Sequence, residues 1–151
     1  MQLSIVPVVA ENRSAAEALS VLPEQIDFIE SVPECLREAD ELADWRPVML
    51  LEGATPVGFA MYGFITIDTP PRLWFDRLLI DGRYQGRGLG DAAFGAVLAR
   101  IQGEFPGLDI YLSVYEENQL AMGMYEKYGF RRNGELDAKG EKIMVLRGAA
   151  I

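Results

Sequence analysis

Hydrophobic positions along the chain follow two rhythms, and the switches between them mark its elements. Residues 1–9, rich in Ile and Val, read as a first strand that meets Pro7 near its end or at a sheet edge. Residues 13–21 and 23–30 have helical spacing. Ser14 is placed to cap the first, Pro23 suits the first turn of the second, and Ile26, Phe28 and Ile29 give it an apolar side. A further short helix starts near Pro33 and runs to about Asp40. Residues 46–52 and 56–66, rich in Val, Leu, Phe and Tyr, predict a β-hairpin turning at Gly53-Ala54-Thr55. After the break at Asp68-Thr69-Pro70-Pro71, the run Leu78-Leu79-Ile80 is short enough for a buried strand.

The period then becomes helical. Leu89, Phe94, Val97, Leu98, Ile101 and Phe105 share one face of a helix over 89–104, closed by Pro106-Gly107. Residues 109–115 alternate as a strand with Ile110, Leu112 and Val114 on one face, and 118–128 return to helix with Leu120, Met124 and Tyr128 four apart. Residues 131–136 and 141–147 close the chain as an antiparallel pair around Ala138-Lys139-Gly140. The order β, helices, β-β-β, α, β, α, β-β predicts a single α/β domain over 1–151 with a mixed sheet, and no repeat or linker interrupts it.

Composition narrows the chemistry. The chain has no histidine and one cysteine, Cys35, which excludes Ser–His–Asp and Cys–His catalysis, an ordinary zinc site and an internal disulfide. Cys35 lies in an acidic stretch that would not favour its thiolate, so it reads as structural. No metal is expected. Fourteen basic against twenty-three acidic residues give a net charge of −9, which argues against a nucleic-acid partner. No apolar run approaches the roughly 20 residues of a membrane span, and no signal peptide is evident, so a cytoplasmic protein without a membrane partner is expected. From Glu24 to Asp44 eight acids (Glu24, Asp27, Glu30, Glu34, Glu38, Asp40, Glu41, Asp44) face one base, Arg37. That segment is either a solvated face or a wall that attracts a polycation.

The most informative stretch is Gln85-Gly86-Arg87-Gly88-Leu89-Gly90, set between the strand at 78–80 and the helix from 89. Glycines let the main chain approach a phosphate, the first N–H groups of a helix lack internal partners, and Arg83 and Arg87 add positive charge. The reading is a diphosphate-holding loop. Asp91 after Gly90 breaks the dinucleotide fingerprint, and no Gly-Lys-Ser/Thr exists for a triphosphate loop. What remains is Gln-x-x-Gly-x-Gly at Gln85, Gly88 and Gly90, which resembles the acetyl-CoA pyrophosphate loop of the GCN5-related N-acetyltransferases (GNAT). Residues 118–130 match a second hallmark of that superfamily, Asn-x-x-Ala-x-x-x-Tyr-x-x-x-Gly-Phe, at Asn118, Ala121, Tyr125, Gly129 and Phe130, with Tyr128 just before the glycine.

The resemblance implies a mostly antiparallel central sheet flanked by helices, acetyl-CoA as co-substrate and commonly a homodimer. It implies that Leu78, Leu79 and Ile80 lie in the strand that pairs with the pantetheine arm, and that Gln85, Gly86, Arg87, Gly88, Leu89 and Gly90 present N–H groups to the pyrophosphate. Asn118 would contact the cofactor or cap its helix. Tyr125 would protonate the departing CoA thiolate, or else pack on the helix face. An alkyl ammonium has a pKa of about 10.4 and must lose a proton before attack. Asp76 is the leading base because it lies close to the presumed thioester, unless it pairs with Arg77 or Arg72; Glu30 and Glu116 are further candidates.

Residues 74–90, together with 22–30 and 57–62, are similar to bacterial spermine/spermidine (diamine) acetyltransferases. A small cationic amine is therefore the expected substrate, with Glu24, Glu30 and Glu34 placed to meet ammonium groups. An aminoglycoside-like antibiotic, an amino acid or a protein N-terminus would use the same chemistry, and a non-catalytic acyl-CoA sensor is the rival of a different class.

Overall fold

Seven strands form one sheet in the order β1-β2-β3-β4-β5-β7-β6 in the computed structural model, which describes residues 2–148. Met1, residues 149–151 and the side chain of Phe28 lie outside that description, so the parts of the first-strand and Phe28 expectations that fall on them do too. The strands are β1 (Leu3–Pro7), β2 (Trp45–Glu52), β3 (Thr55–Ile65), β4 (Arg72–Ile80), β5 (Ile110–Val114), β6 (Arg131–Leu136) and β7 (Lys142–Leu146). Only β4 and β5 run parallel; the other neighbours are antiparallel, and the α/β single domain expected from the pattern is the fold observed.

Helices α1 (Arg13–Glu17) and α2 (Val32–Glu41) contribute Ala16, Val32, Cys35 and Leu36 to a core that includes Met49, Phe59, Met61 and Leu79 of the sheet. Cys35 is fully buried there, and burial pushes its thiol up to about 12, which makes it a packing residue. Helices α3 (Leu89–Glu104) and α4 (Gln119–Lys127) supply a second core with Phe94, Val97, Ile101 and Met122, against Leu73, Phe75 and Ile110. Leu89, Phe94, Val97, Leu98 and Ile101 are buried along α3 as the period required, while Phe105 caps it half-buried.

Two of the early helices differ from expectation. The first ends at Glu17 rather than Val21, because Ser20 is drawn into tertiary bonds: its N–H donates to Asp81 Oδ2 at 3.0 Å and its carbonyl accepts from Gly82 N–H at 2.8 Å. Its N-cap is Asn12, not Ser14, and Asn12 spends its amide on Val9 and Pro7. Residues Pro23–Phe28 form a 3₁₀ turn, with Pro23 in the first turn as expected.

One irregularity sets up the site. Phe75 pairs with Tyr62 and Arg77 with Met61, so Asp76 is an extra residue in β4, a bulge. Side-chain parity flips across it: Leu73 and Phe75 face the α3 core before the bulge, Leu78 and Ile80 after it. Strands β4 and β5 are registered only at Leu73–Ile110 and Trp74–Tyr111 and diverge beyond, which opens the sheet along one edge of β4.

Candidate active site

The opening between β4 and β5 continues as a cleft of about 980 Å³. The far half of β4 (Asp76 to Ile80) forms one wall and α4, with Asn118, Ala121 and Tyr125, the other; Gln85, Gly86, Gly88, Leu89 and Gly90 line its glycine-rich end. A smaller polar pocket of about 190 Å³ adjoins it, bounded by Asp27, Glu30, Glu34, Tyr115, Lys139 and Glu141. Glu30, Tyr115 and Glu141 line both cavities.

The glycine end is held open from beneath. Gly86 and Gly88 have φ of 81° and 78°, left-handed values that only glycine adopts without strain. A Cβ at Gly86, Gly88 or Gly90 would meet nothing within 4 Å, and all three glycines line the cleft. Gly88 is the N-cap of α3, a helix long enough for its free N–H groups and dipole to favour an anion. Gln85 braces the loop, its Nε2 donating to Ile80 O at 2.9 Å and to Gln25 Oε1 at 2.8 Å. Asp81, only 4 % exposed, accepts from Arg83 N–H at 3.0 Å and Arg83 Nε at 2.9 Å as well as from Ser20. Burial works to raise the Asp81 carboxyl, but these bonds outweigh it and hold it below the ordinary range.

The two arginines expected to meet the phosphate are engaged elsewhere. Arg83 is tied to Asp81, and Arg87 pairs with Glu52 at 3.0 Å and does not line the cleft. Asp91, in the first turn of α3, is neutralised by Lys127 and accepts from Tyr128 O–H at 2.6 Å. Gly95 makes room for that tyrosine, since a Cβ there would lie 2.9 Å from its hydroxyl.

Tyr125 sits on α4 with its ring 5.0 Å from that of Phe94, and its hydroxyl has no hydrogen-bond partner among the described residues. Burial and the nearby Glu141 charge push it up to about 12, so it stays protonated at neutral pH. Asn118 caps α4, accepting from Ala121 N–H at 3.3 Å, and also lines the cleft. The cap reading of that residue is the one observed.

Asp76 is nearly buried and ion-paired with its neighbour Arg77; burial lifts its carboxyl to about 6 against the pull of that guanidinium. Arg77 also contacts Glu38 at 3.3 Å and Glu30 at 2.9 Å, though its Nε–H is not aimed at the Glu30 oxygen, leaving an ion pair without a hydrogen bond. Lys139 completes this group by pairing with Glu30 from the hairpin turn between β6 and β7. Burial acts to raise Glu30, but Lys139 and Arg77 together lower it. Glu34 closes a capping box with Ser31 at the start of α2 and borders the small pocket. Glu24 is exposed and lines neither cavity. Glu116 is exposed, with Arg132 and Lys142 at 3.8 and 3.9 Å.

Sequence reasoning named Arg77 as a partner for Asp76, which it is, but overlooked Ser113, Lys139 and Glu141. Lys139 read as a turn residue and Glu141 as an ordinary strand start, because nothing local signals that the hairpin folds over the cleft.

The sheet, the splayed pair and the glycine loop define an acetyltransferase. Residues 14–130 match the Acetyltransferase (GNAT) family, and the chain belongs to it. It is 42 % identical over 149 residues to the spermine/spermidine N(1)-acetyltransferase of Bacillus subtilis (strain 168), covering 96 % of this chain and 98 % of that one. Among solved structures it superposes on spermidine N-acetyltransferase from Vibrio cholerae in complex with CoA and spermine (TM-score 0.70, 18 % identity, 95 % and 93 % covered). It superposes also on aminoglycoside acetyltransferase AAC(6')-Ib in complex with coenzyme A (TM-score 0.77, 16 % identity, 97 % and 95 % covered).

Proposed function

We propose that the protein transfers the acetyl group of acetyl-CoA to a primary amine of a polyamine of the spermine or spermidine type, by direct attack in a ternary complex. The observation that carries this reading is the continuity of the cleft: an anion-binding loop at one end and an acidic pocket at the other, joined past Tyr125. The 42 % identity to a spermine/spermidine acetyltransferase over nearly the whole chain supports it independently.

In this reading the N–H groups from Gln85 to Gly90 hold the pyrophosphate, and the unpaired edge of β4 at Leu78, Leu79 and Ile80 takes the pantetheine arm as an added strand. The acetyl-thioester then lies between Asp76 and Tyr125. Tyr125 gives its proton to the thiolate as the tetrahedral intermediate collapses. Glu30 and Glu34 draw the distal ammonium groups into the small pocket, where Lys139 already occupies the place of one such cation on Glu30. Glu24, farther out, contributes to attraction rather than contact. Asp76 serves chiefly to hold Arg77 between Glu30 and Glu38. Arg87 lies beside the loop and favours approach of the phosphates. The protein would act as a homodimer in the cytoplasm; among the described residues no helix is long and apolar enough to cross a membrane.

An aminoglycoside-like amine is the second reading, because an acidic pocket suits any polycation. Thiol release from acetyl-CoA, measured against spermine, spermidine, putrescine, aminoglycosides, amino acids and a peptide N-terminus, decides between them. Turnover confined to polyamines is the expected result. Turnover confined to aminoglycosides would transfer the site to that class, and none despite tight acetyl-CoA binding would make the domain a sensor.

A further inference from the structure

The amine's proton needs an acceptor inside the cleft. The carboxylates that line it are Glu30, Asp76, Asp91, Glu117 and Glu141. Asp76 is held by Arg77, Glu30 by Arg77 and Lys139, and Asp91 by Lys127. Glu117 is exposed beside the start of α4. Glu141 differs: it is half-buried and, among the described residues, has no cation within ion-pair distance.

We propose that Glu141 is the general base that takes the proton from the attacking amine, with Asp137 as the positioning residue that holds it. The inference rests on the acetyl-transfer reading above and adds to it the group that completes the reaction. Its ground is position. Glu141 lines the main cleft together with Tyr125 and the small pocket together with Glu30, so it stands on the passage between the ammonium-holding end and the thioester end. The hairpin fixes it there: its N–H donates to Asp137 Oδ1 at 2.8 Å, and Asp137 N–H donates to the Glu141 carbonyl at 3.0 Å. Ser113 Oγ–H reaches its Oε2 at 3.4 Å from β5.

Its surroundings suit the role. Burial first, then a hydrogen bond and charge contact with Asp137, and then the Glu30 charge push the carboxyl up to about 7, while Lys139 pulls the other way. A base near the working pH combines an adequate deprotonated fraction with the drive to accept a proton. Asp76 and Arg77 line the same cleft but neutralise one another.

The protons balance. Glu141 accepts one from R–NH₃⁺; the neutral amine attacks the thioester carbonyl, forming the C–N bond; the C–S bond breaks and Tyr125 protonates the leaving sulfur. The remaining excess N–H proton returns to the tyrosinate, and Glu141 releases its own to solvent. Because the Glu141 charge holds up the Tyr125 proton, neutralising Glu141 in the first step makes that proton easier to give in the later one.

The test compares wild type with Glu141→Gln and Asp137→Asn, using spermidine and a weakly basic primary amine that is largely neutral at pH 7. Wild type should lose kcat/KM for spermidine on acidification through an apparent pKa near 7. Glu141→Gln should lose about 100-fold or more at pH 7.5 together with that limb. It should keep its acetyl-CoA affinity, and keep activity on the neutral amine within a few-fold. Asp137→Asn should move the limb to lower pH with a smaller loss. A Glu141→Gln enzyme with the wild-type rate and limb, or one equally crippled on both amines, would overturn the assignment. Asp137→Asn with an unmoved limb would remove Asp137 from the role. A wild-type protein that binds acetyl-CoA but acetylates no amine would instead sink the acetyl-transfer reading, and the base with it.

Discussion

Tyr125 is held by packing on one side and left unpartnered on the other. Its ring is clamped near Phe94 and Phe130, which fixes where the hydroxyl points, and the hydroxyl has no protein partner among the described residues to compete for its proton. Tyr125→Phe keeps the packing and deletes only the proton. Turnover should fall by about 100-fold while acetyl-CoA affinity stays within twofold, as steady-state kinetics and calorimetric binding would show. Equal loss of both would make the ring, not the acid, its contribution. Glu141 allows a second prediction from linkage. Its folded carboxyl is raised from 4.5 to about 7, so the stability it contributes is complete below pH 4.5 and is lost as pH rises through 7. Glutamine mimics the protonated form and does not titrate. The difference in Tm between Glu141→Gln and wild type should therefore shift in favour of the variant between pH 4.5 and 7 and be level above; a difference that is flat throughout would contradict the raised carboxyl.

At the scale of elements, the backbone of the glycine loop was legible because it is local. A strand end, the glycines and the first turn of α3 are contiguous, and each residue type states its own backbone requirement. The partners of Arg83 and Arg87 were not legible for the opposite reason: Asp81 and Glu52 were visible only as a turn signal and a strand residue. The hairpin site was not legible at all. Lys139 and Glu30 meet across 109 residues, brought together only by β7 lying next to β5 in the sheet. The first helix stopped short of its pattern for a similar cause, since tertiary bonds from Asp81 and Gly82 claimed Ser20. Gly88→Val tests the loop itself. At φ 78° a β-branched residue is strained by about 1–2 kcal/mol, and its side chain projects into the open space where the proposed function puts the pyrophosphate. Acetyl-CoA binding should be lost in a variant that still melts cooperatively; retained binding would move the pyrophosphate elsewhere.

At the scale of the whole molecule, the two substrates of the proposed reaction carry opposite charge and meet a protein of net charge −9. The long-range field favours a polyamine and opposes acetyl-CoA, which must rely on the local loop amides. Salt should therefore act on the two in opposite senses. Raising ionic strength from about 20 to 200 mM, which shortens the screening length from about 20 to 7 Å, should raise the KM for spermidine several-fold and leave that for acetyl-CoA unchanged or lower. Parallel responses would mean that the acidic segment is only a solvated face. The sequence showed this charge but not its division: Glu30 and Glu34 border a pocket, whereas Asp40 is taken up by Arg13, Asp44 by Thr66 and Glu24 is exposed to solvent.

The extra residue at Asp76 also determines which length changes the gene can tolerate. The ladder on either side of it is regular, with Phe75 on Tyr62 and Arg77 on Met61, so Leu78 and Ile80 belong to one core and Leu79 to the other by virtue of that register and not of the extra residue. Loss of one residue here would close the bulge and leave both faces of the strand as they are, at the cost of the carboxylate that pairs with Arg77. Loss of a second would find no slack: it would exchange the inward and outward faces of the strand's second half. The strand therefore carries one codon to spare, and that codon encodes Asp76.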